Sequence, residues 1–454
     1  MSTTLDNHRL DQLEGRVTGA VLAPDHASYD AARAVHNGLI DRKPALIVRV
    51  RNTQDVVEAL AFARSGGFEV SVRGGGHNVA GRAVTDGGVM IDLAGMKNVS
   101  VDPEQGTATA QGGVTWNELN EAGASHGLAV TGGAISTTGI AGYTLGGGLG
   151  WMMGKYGLAC DNLEAVELVT AAGDVLQVDA ESHPDLLWAL RGGGGNFGVA
   201  TAFTYRMHPL STVTGGLIAH PVDAARDLLR FYRDAVADVS DDLTVFAGLV
   251  HAPDGSGAKL SALVVCHAGD PDTTSRELAP FLSFGSPVMT QVGPMPYPVM
   301  NTLLDAGYPT GSFNYWLSSF TRGLPDALID AAVERFASVP STMTAILLEH
   351  FHGAVTRVAP TDTAVPHREP GWNLLIPSVW TDPEATDANI RWTRETHAAL
   401  APHLATRRWL NYLGDDQADD AVRAAYGPNY DRLREVKRRY DPANIFHLNH
   451  NIAP

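Results

Sequence analysis

Apolar and polar positions change phase in short runs over the first 210 residues and in long runs after them. Residues 45–50 (ALIVRV) read as a strand. Asn52 is placed as the N-cap of a helix reaching Arg64, with Asp55 in its first turn and Gly66-Gly67 as its stop. A second strand over 68–72 runs directly into Arg73-Gly74-Gly75-Gly76-His77. Further strands are expected at 89–93, 99–101 and 107–110. Residues 167–169 and 175–178 flank an Ala-Gly-Asp turn and read as a hairpin, 185–190 as a short helix, and 199–207 as an alternating strand. From about Leu210 the elements lengthen. Helices are expected at 223–239, 325–339 and 387–400, and strands at 259–266, 344–358 and 372–380. The tail from Arg407 reads as a strand, a helix and a final apolar turn. This pattern predicts an α+β chain with an antiparallel sheet in its middle. Three segments are expected: 1–210 (core about 40–210), 211–404 and 405–454. The last is too short to bury a core of its own and should pack back onto another domain.

Composition narrows the function. The 454 residues allow two or three domains, and 44% hydrophobic with 18% charged residues is a globular balance. A net charge of −17 gives no basic footprint for nucleic acid and disfavours an anionic membrane surface. No apolar run approaches the length of a membrane span, and the first residues lack a leader pattern, so the expected location is the cytoplasm. The two cysteines, Cys160 and Cys266, form no C-x-x-C pair; neither a disulfide framework nor a structural zinc site is indicated.

Candidate chemistry concentrates where glycine does, in clusters at 74–76, 132–133, 146–148 and 192–195. Glycine permits close approach of backbone to a ligand, and the loop from Val72 to Asn78 can turn its amides toward an anion, with Arg73 beside it, although Gly-Gly-Gly by itself favours a plain tight turn. The competing dinucleotide motif, Gly193-x-Gly195-x-x-Gly198, follows a helical segment and lacks the acidic residue about 20 positions on. His77 closes the first cluster and has no metal-spaced partner. His350 and His352 share one face of a strand without an evident third ligand, which favours a pocket or structural role. Lys437-Arg438-Arg439 reads as a solvated helix face.

Four blocks carry a resemblance: RGGGHNVAG, TTGIAGYTLGGGLGWMMGKYGLACDNL, LLWALRGGGGNFGVAT and YDPANIFHLNHNI. In this order they resemble the berberine-bridge-enzyme-like group of the vanillyl-alcohol-oxidase flavoproteins, with a PCMH-type FAD-binding core. The resemblance covers about 40–210 and 405–454, and weakly 349–353 and 363–368. It implies a two-domain α+β flavoprotein, its FAD domain made from the N-terminal half plus the C-terminal tail, with the antiparallel-sheet substrate domain between. It implies FAD attached covalently through the 8α-methyl to His77. Arg73, Gly74, Gly75, Gly76 and His77, with Asn78 following, would cradle the pyrophosphate. Thr138, Gly139, Ile140, Ala141, Gly142 and Tyr143 would line the flavin and its phosphates. Gly198 and Val199 would approach the adenosine end through the backbone, and Asn449 would return to the isoalloxazine.

Some members carry a second link from a cysteine in G-x-C-P-T. Here Ile135 stands in that place, so one attachment is expected. The run Arg408-Trp409-Leu410-Asn411-Tyr412 is similar to the family's Y-L-N-Y, which makes Tyr412 the candidate base. A phenol would need its pKa depressed for that task. Ile140, with Ala141 replacing a usual glycine, falls where the family controls dioxygen access. The implied function is oxidation of a small organic molecule (alcohol, sugar, amine or secondary metabolite), with hydride transfer to the flavin and reoxidation by O2 to H2O2. A dehydrogenase with another acceptor, or a flavoprotein that sequesters its ligand without turnover, are the alternatives. No nucleic-acid or membrane partner is expected.

Overall fold

The computed structural model describes residues 7–415 and 419–454. Its first layer is a four-stranded sheet ordered Ala20–Leu22, Leu46–Arg49, Val89–Asp92, Val70–Arg73, in which the last three strands run parallel. Parallel strands need a crossover, and the helix Thr53–Gly66 supplies it. Asn52 caps this helix by accepting the Asp55 amide, and Gly67 closes it in the left-handed conformation at φ 67°. A five-stranded antiparallel sheet follows, ordered Val99–Asp102, Thr107–Gln111, Val199–Arg206, Leu163–Val169, Val175–Val178.

The middle of the chain is a seven-stranded antiparallel sheet. Its order is Met289–Pro296, Thr212–Pro221, Lys259–His267, Leu243–His251, Ile346–Phe351, Gly371–Trp380, Phe313–Thr321. Side chains alternate across it. Val245, Ala247, Leu348, Leu374 and Ile376 face the helices Ala225–Ala235, Asp326–Phe336 and Thr386–Leu400. Phe246, Leu347, Phe351 and Leu375 face the other way, against Trp151, Met153, Trp409 and Tyr412 from the flanking segments. The two-period of these strands therefore decides which side chains can reach a site between the sheet and the N-terminal half.

Several elements differ from the sequence pattern. The strand expected at 344–358 ends at Phe351, because Gly353 turns the chain at φ 62° into the helical turn Ala354–Arg357. The helix expected at 223–239 is a 3-10 turn followed by Ala225–Ala235. The tail holds no strand among the described residues: Leu410–Tyr412 is a 3-10 turn, followed by helices Asp419–Tyr426 and Tyr430–Tyr440. Nor is the basic run wholly solvated. Lys437 is buried, donates 2.7 Å to Asp441 and 2.7 Å to the Asn196 carbonyl, and so ties the terminal helix to the last glycine cluster.

Candidate active site

One cavity of about 700 Å³ runs from the glycine loops to the inner face of the seven-stranded sheet, a size typical of small-molecule sites. Gly74, Gly75, Gly76, His77 and Asn78 line it, with Thr138, Gly139, Ala141, Gly142 and Tyr143, and at the far end Gly198 and Asn449. The two glycine loops approach so closely that a Cβ on Gly75 would lie 2.4 Å from the Gly139 nitrogen. Only glycine allows that contact, whereas a Cβ on Gly142 would meet nothing within 4 Å. Asn449 is fixed by its amide donating 2.7 Å to the Gly195 carbonyl, and Arg82 donates 2.6 Å to the Asn449 carbonyl.

Three residues singled out from the sequence stand outside the cavity wall. Arg73 is turned away: its guanidinium forms a two-pronged pair with Asp92 at 3.0 and 2.6 Å and donates 2.8 Å to the Ala34 carbonyl. The cause is register, since Arg73 and Asp92 are partners across the parallel strands. Arg73 therefore braces the loop and lends no charge to the cavity, where Arg82 is the one arginine or lysine of the lining among the described residues. Ile140 is fully buried and packs in the core with Trp116 and Leu145, while its neighbours Gly139 and Ala141 face the cavity. Val199 is buried in the strand paired with Val169, leaving Gly198 and Ala200 on the wall.

His77 reaches the cavity with Nε2 buried and without a hydrogen-bond partner. Burial first, then the neighbouring His36, push its pKa down to about 3, so the imidazole is neutral. An orphaned neutral ring nitrogen at the end of a glycine cradle fits a covalently held FAD. Ile135 and Ala134 line the wall where the family's second link would come from.

Beside the cradle, where Asn411 is bonded to Asn78 and Tyr143, Tyr412 donates 2.8 Å from its hydroxyl to Glu349 Oε1. Asn373 donates 2.7 Å to the other carboxylate oxygen. Glu349 points here because it pairs with Phe246 and Asn373 in the sheet, on the row facing Trp151 and Trp409. Burial pushes its pKa up to about 7, against the lowering effect of the Asn373 and Tyr412 hydrogen bonds. Tyr412 is not the depressed phenol anticipated above: burial and the Glu349 carboxylate raise its pKa well above 10. The acid–base capacity of the pair at neutral pH therefore resides on Glu349. Sequence reasoning gave Glu349 no role. The signal was available in ILLEHF, where strand alternation sets one carboxylate among Leu347 and Phe351 on a single face. His350 and His352 stack on each other at 4.7 Å; His350 also lies on Trp372, on the helix side of the sheet, away from the cavity.

The matches to known proteins bear on this geometry. Residues 44–179 match the family model "FAD binding domain", and 409–453 match "Berberine and berberine like". The chain is 32% identical to (R)-6-hydroxynicotine oxidase of Paenarthrobacter nicotinovorans over 96% of its own length and 97% of the relative's. It belongs to the berberine-bridge-enzyme-like FAD-linked oxidoreductases. The crystal structure of 6-hydroxy-D-nicotine oxidase from Arthrobacter nicotinovorans superposes with a TM-score of 0.89 at 30% identity, covering 96% of this chain and 98% of that one. A variant of berberine bridge enzyme shares the fold at a TM-score of 0.87 and 23% identity, covering 98% and 99%. As a member of this family the chain is an FAD-dependent oxidoreductase, and the FAD-binding match covers both the His77 loop and the Thr138–Tyr143 loop. Among the described residues, no helix is long and apolar enough to cross a membrane.

Proposed function

We propose that this oxidoreductase is an oxidase of a mainly apolar small molecule bearing a hydroxyl or amine, with FAD held covalently by His77. The observation that carries this reading is the 2.8 Å Tyr412–Glu349 hydrogen bond, set in a mainly apolar wall of the cavity that contains the glycine cradle. FAD held in this cradle would supply the two-electron acceptor for the substrate's hydride and the route to dioxygen and hydrogen peroxide. The chain's own part is to orient the substrate and take its proton. A substrate hydroxyl or amine meeting Tyr412 Oη would release its proton there as the phenol proton passes to Glu349 Oε1. A carboxylate whose pKa lies near 7 is matched to that task. Asn373 holds the second carboxylate oxygen and so keeps the first aimed at Tyr412.

The same wall selects the substrate. Leu217, Phe246, Val264, Leu303, Trp316 and Leu375 line the same cavity, and the phenols of Tyr143 and Tyr308 lie near the pair. Arg82, the one arginine of the lining among the described residues, is engaged by the Asn449 carbonyl and Asp415. A carboxylate or phosphate bound beside Glu349 would stay unpaired, and buried unpaired charges cost several kcal/mol. A sugar would leave hydroxyls without partners, at about 1–3 kcal/mol each.

The test is anaerobic bleaching of the flavin by benzylic alcohols, cyclic amines and cellobiose, followed by admission of oxygen. Bleaching by the apolar compounds and stoichiometric peroxide are expected. Bleaching by cellobiose alone overturns the substrate class. A specific observation favours a second reading, a dehydrogenase: Ala141 presents a methyl to the cavity where the family's pattern has glycine. Bleached enzyme that oxygen reoxidises no faster than free reduced flavin would establish it. His77→Ala should release all flavin to the supernatant after acid precipitation; colour remaining with the pellet would move the attachment elsewhere.

A further inference from the structure

A second histidine stands behind His77 and has no part in the reading above. His36 stacks on His77 with ring centroids 3.7 Å apart and planes 18° from parallel. It is buried, 4% exposed, and it is held from three directions. Its backbone N–H donates 3.0 Å to the Gly76 carbonyl, and the Gly311 N–H donates 2.9 Å to its own carbonyl. Its Nδ1 lies 3.3 Å from the Thr310 hydroxyl. The next residues continue the seam: Asn37 donates 2.9 Å to the Asn314 carbonyl and accepts 2.9 Å from the Asn314 N–H, and Gly38 donates 2.8 Å to the Ser312 carbonyl. The His36 backbone is therefore fixed between the glycine cradle and residues 310–314, and burial and the Thr310 hydroxyl hold its ring.

His77 is the opposite case. It follows three glycines, the last at φ 65°, and its Nε2 bonds to nothing. The face of His36 packs flat on its ring, and the only other hold on the ring among the described residues is a hydrogen bond to its own backbone. Two imidazolium rings at this distance would repel each other in a buried setting. Burial pushes His36 down to about 4, so at neutral pH both rings are uncharged.

We propose that His36 is the positioning residue for attachment of FAD to His77: its fixed ring holds the His77 imidazole in the one plane from which a ring nitrogen meets the flavin's 8-methyl group. The proposal rests on His77 as the attachment point. In that step a C–H bond of the methyl and the imidazole N–H break and a C–N bond forms. Two protons leave, and two electrons pass into the flavin ring system, from which dioxygen takes them. A nucleophile free to rotate on a glycine loop loses the advantage of a fixed near-attack geometry.

His36→Leu fills the space without a flat ring, and His36→Phe keeps the flat ring without nitrogen. Full-length protein is purified, FAD is added, and the flavin that precipitates with the chain in acid is followed in time. FAD affinity and thermal unfolding are measured on the same samples. The expected result is that His36→Leu still binds FAD but attaches it at least about tenfold more slowly, while His36→Phe stays within about threefold of wild type. Attachment by His36→Leu at the wild-type rate overturns the proposal. So does a His36→Phe protein that folds and binds FAD yet attaches it as slowly as His36→Leu. His77→Ala, run alongside, separates the two readings: covalent flavin persisting there defeats the His77 assignment whatever His36 does.

Discussion

Replacing Glu349 by glutamine should change stability and chemistry with one pH dependence. Gln keeps the size of the side chain and can accept the Tyr412 hydroxyl. Its new N–H groups would face the Asn373 amide donor, but Asn373 Oδ1 has no partner, so a turned amide would accept them. The fold thus tolerates Gln, and the difference from wild type isolates the ionisation. Burial raises Glu349 from an ordinary 4.5 to about 7, and at about 1.36 kcal/mol per pH unit that gap is about 3 kcal/mol. The sign follows from which state binds the proton. Below 4.5 both folded and unfolded chains hold it and ionisation costs the fold nothing. Between 4.5 and about 7 the unfolded chain ionises first, and stability falls as pH rises. Above about 7 both are ionised and the loss is complete. Urea unfolding of the FAD-loaded proteins at several pH values should show Glu349→Gln gaining about 3 kcal/mol on wild type across this window, then no more. In stopped-flow, wild-type flavin reduction should rise with a midpoint near 7, while the variant is slower by about 10²–10⁴-fold and lacks that titration. A stability difference independent of pH would refute the buried-carboxylate argument. An unchanged reduction rate would refute the base.

Tyr412→Phe should slow flavin reduction about 10²-fold, the size of a positioned proton-transfer contribution. It should also move the pH midpoint above 7, because Glu349 loses a hydrogen bond that lowers its pKa; a midpoint left in place would detach the two residues. Lys437→Met leaves the buried Asp441 carboxylate without its cation and should cost about 3–5 kcal/mol in urea unfolding, with a loss under 1 kcal/mol counting against the role of that pair.

What could be read from the sequence was what is local in it. RGGGH is a continuous run, so the loop at His77 and its cavity position follow from five consecutive residues. What could not be read depends on residues distant in sequence. Arg73 looked like a cation for phosphate because it adjoins the glycines, but strand register delivers it to Asp92, 19 positions on. Ile140 looked like a gate because of its place in a motif, but the short helix Ile140–Leu145 turns it into the core and shows Ala141 to the cavity. Lys437 looked like one of three solvated charges, but its i,i+4 partner Asp441 is buried with it beneath the tail. Glu349 was invisible as a functional residue because its pKa and its aim come from burial and cross-strand neighbours, neither of which a single sequence states.

The pairing of Tyr412 with Glu349 also explains why the tail returns to the N-terminal half. Glu349 belongs to the central sheet, and the cradle to the N-terminal loops; neither supplies the hydroxyl that connects them. The residue before Tyr412 does the aligning. Asn411 donates 3.0 Å to the Tyr143 carbonyl, its side-chain oxygen accepts the Gly148 N–H at 3.3 Å, and its carbonyl accepts the Asn78 amide at 3.0 Å. One asparagine thereby ties the tail to three points around the cradle, including the residue next to His77. The 3-10 turn Leu410–Tyr412 then presents the phenol to the carboxylate, with Trp316 packed edge-on at 5.7 Å. Three segments converge at the cavity through these hydrogen bonds, and the Tyr412–Glu349 pair shared between two of them holds its geometry only while all three stay docked.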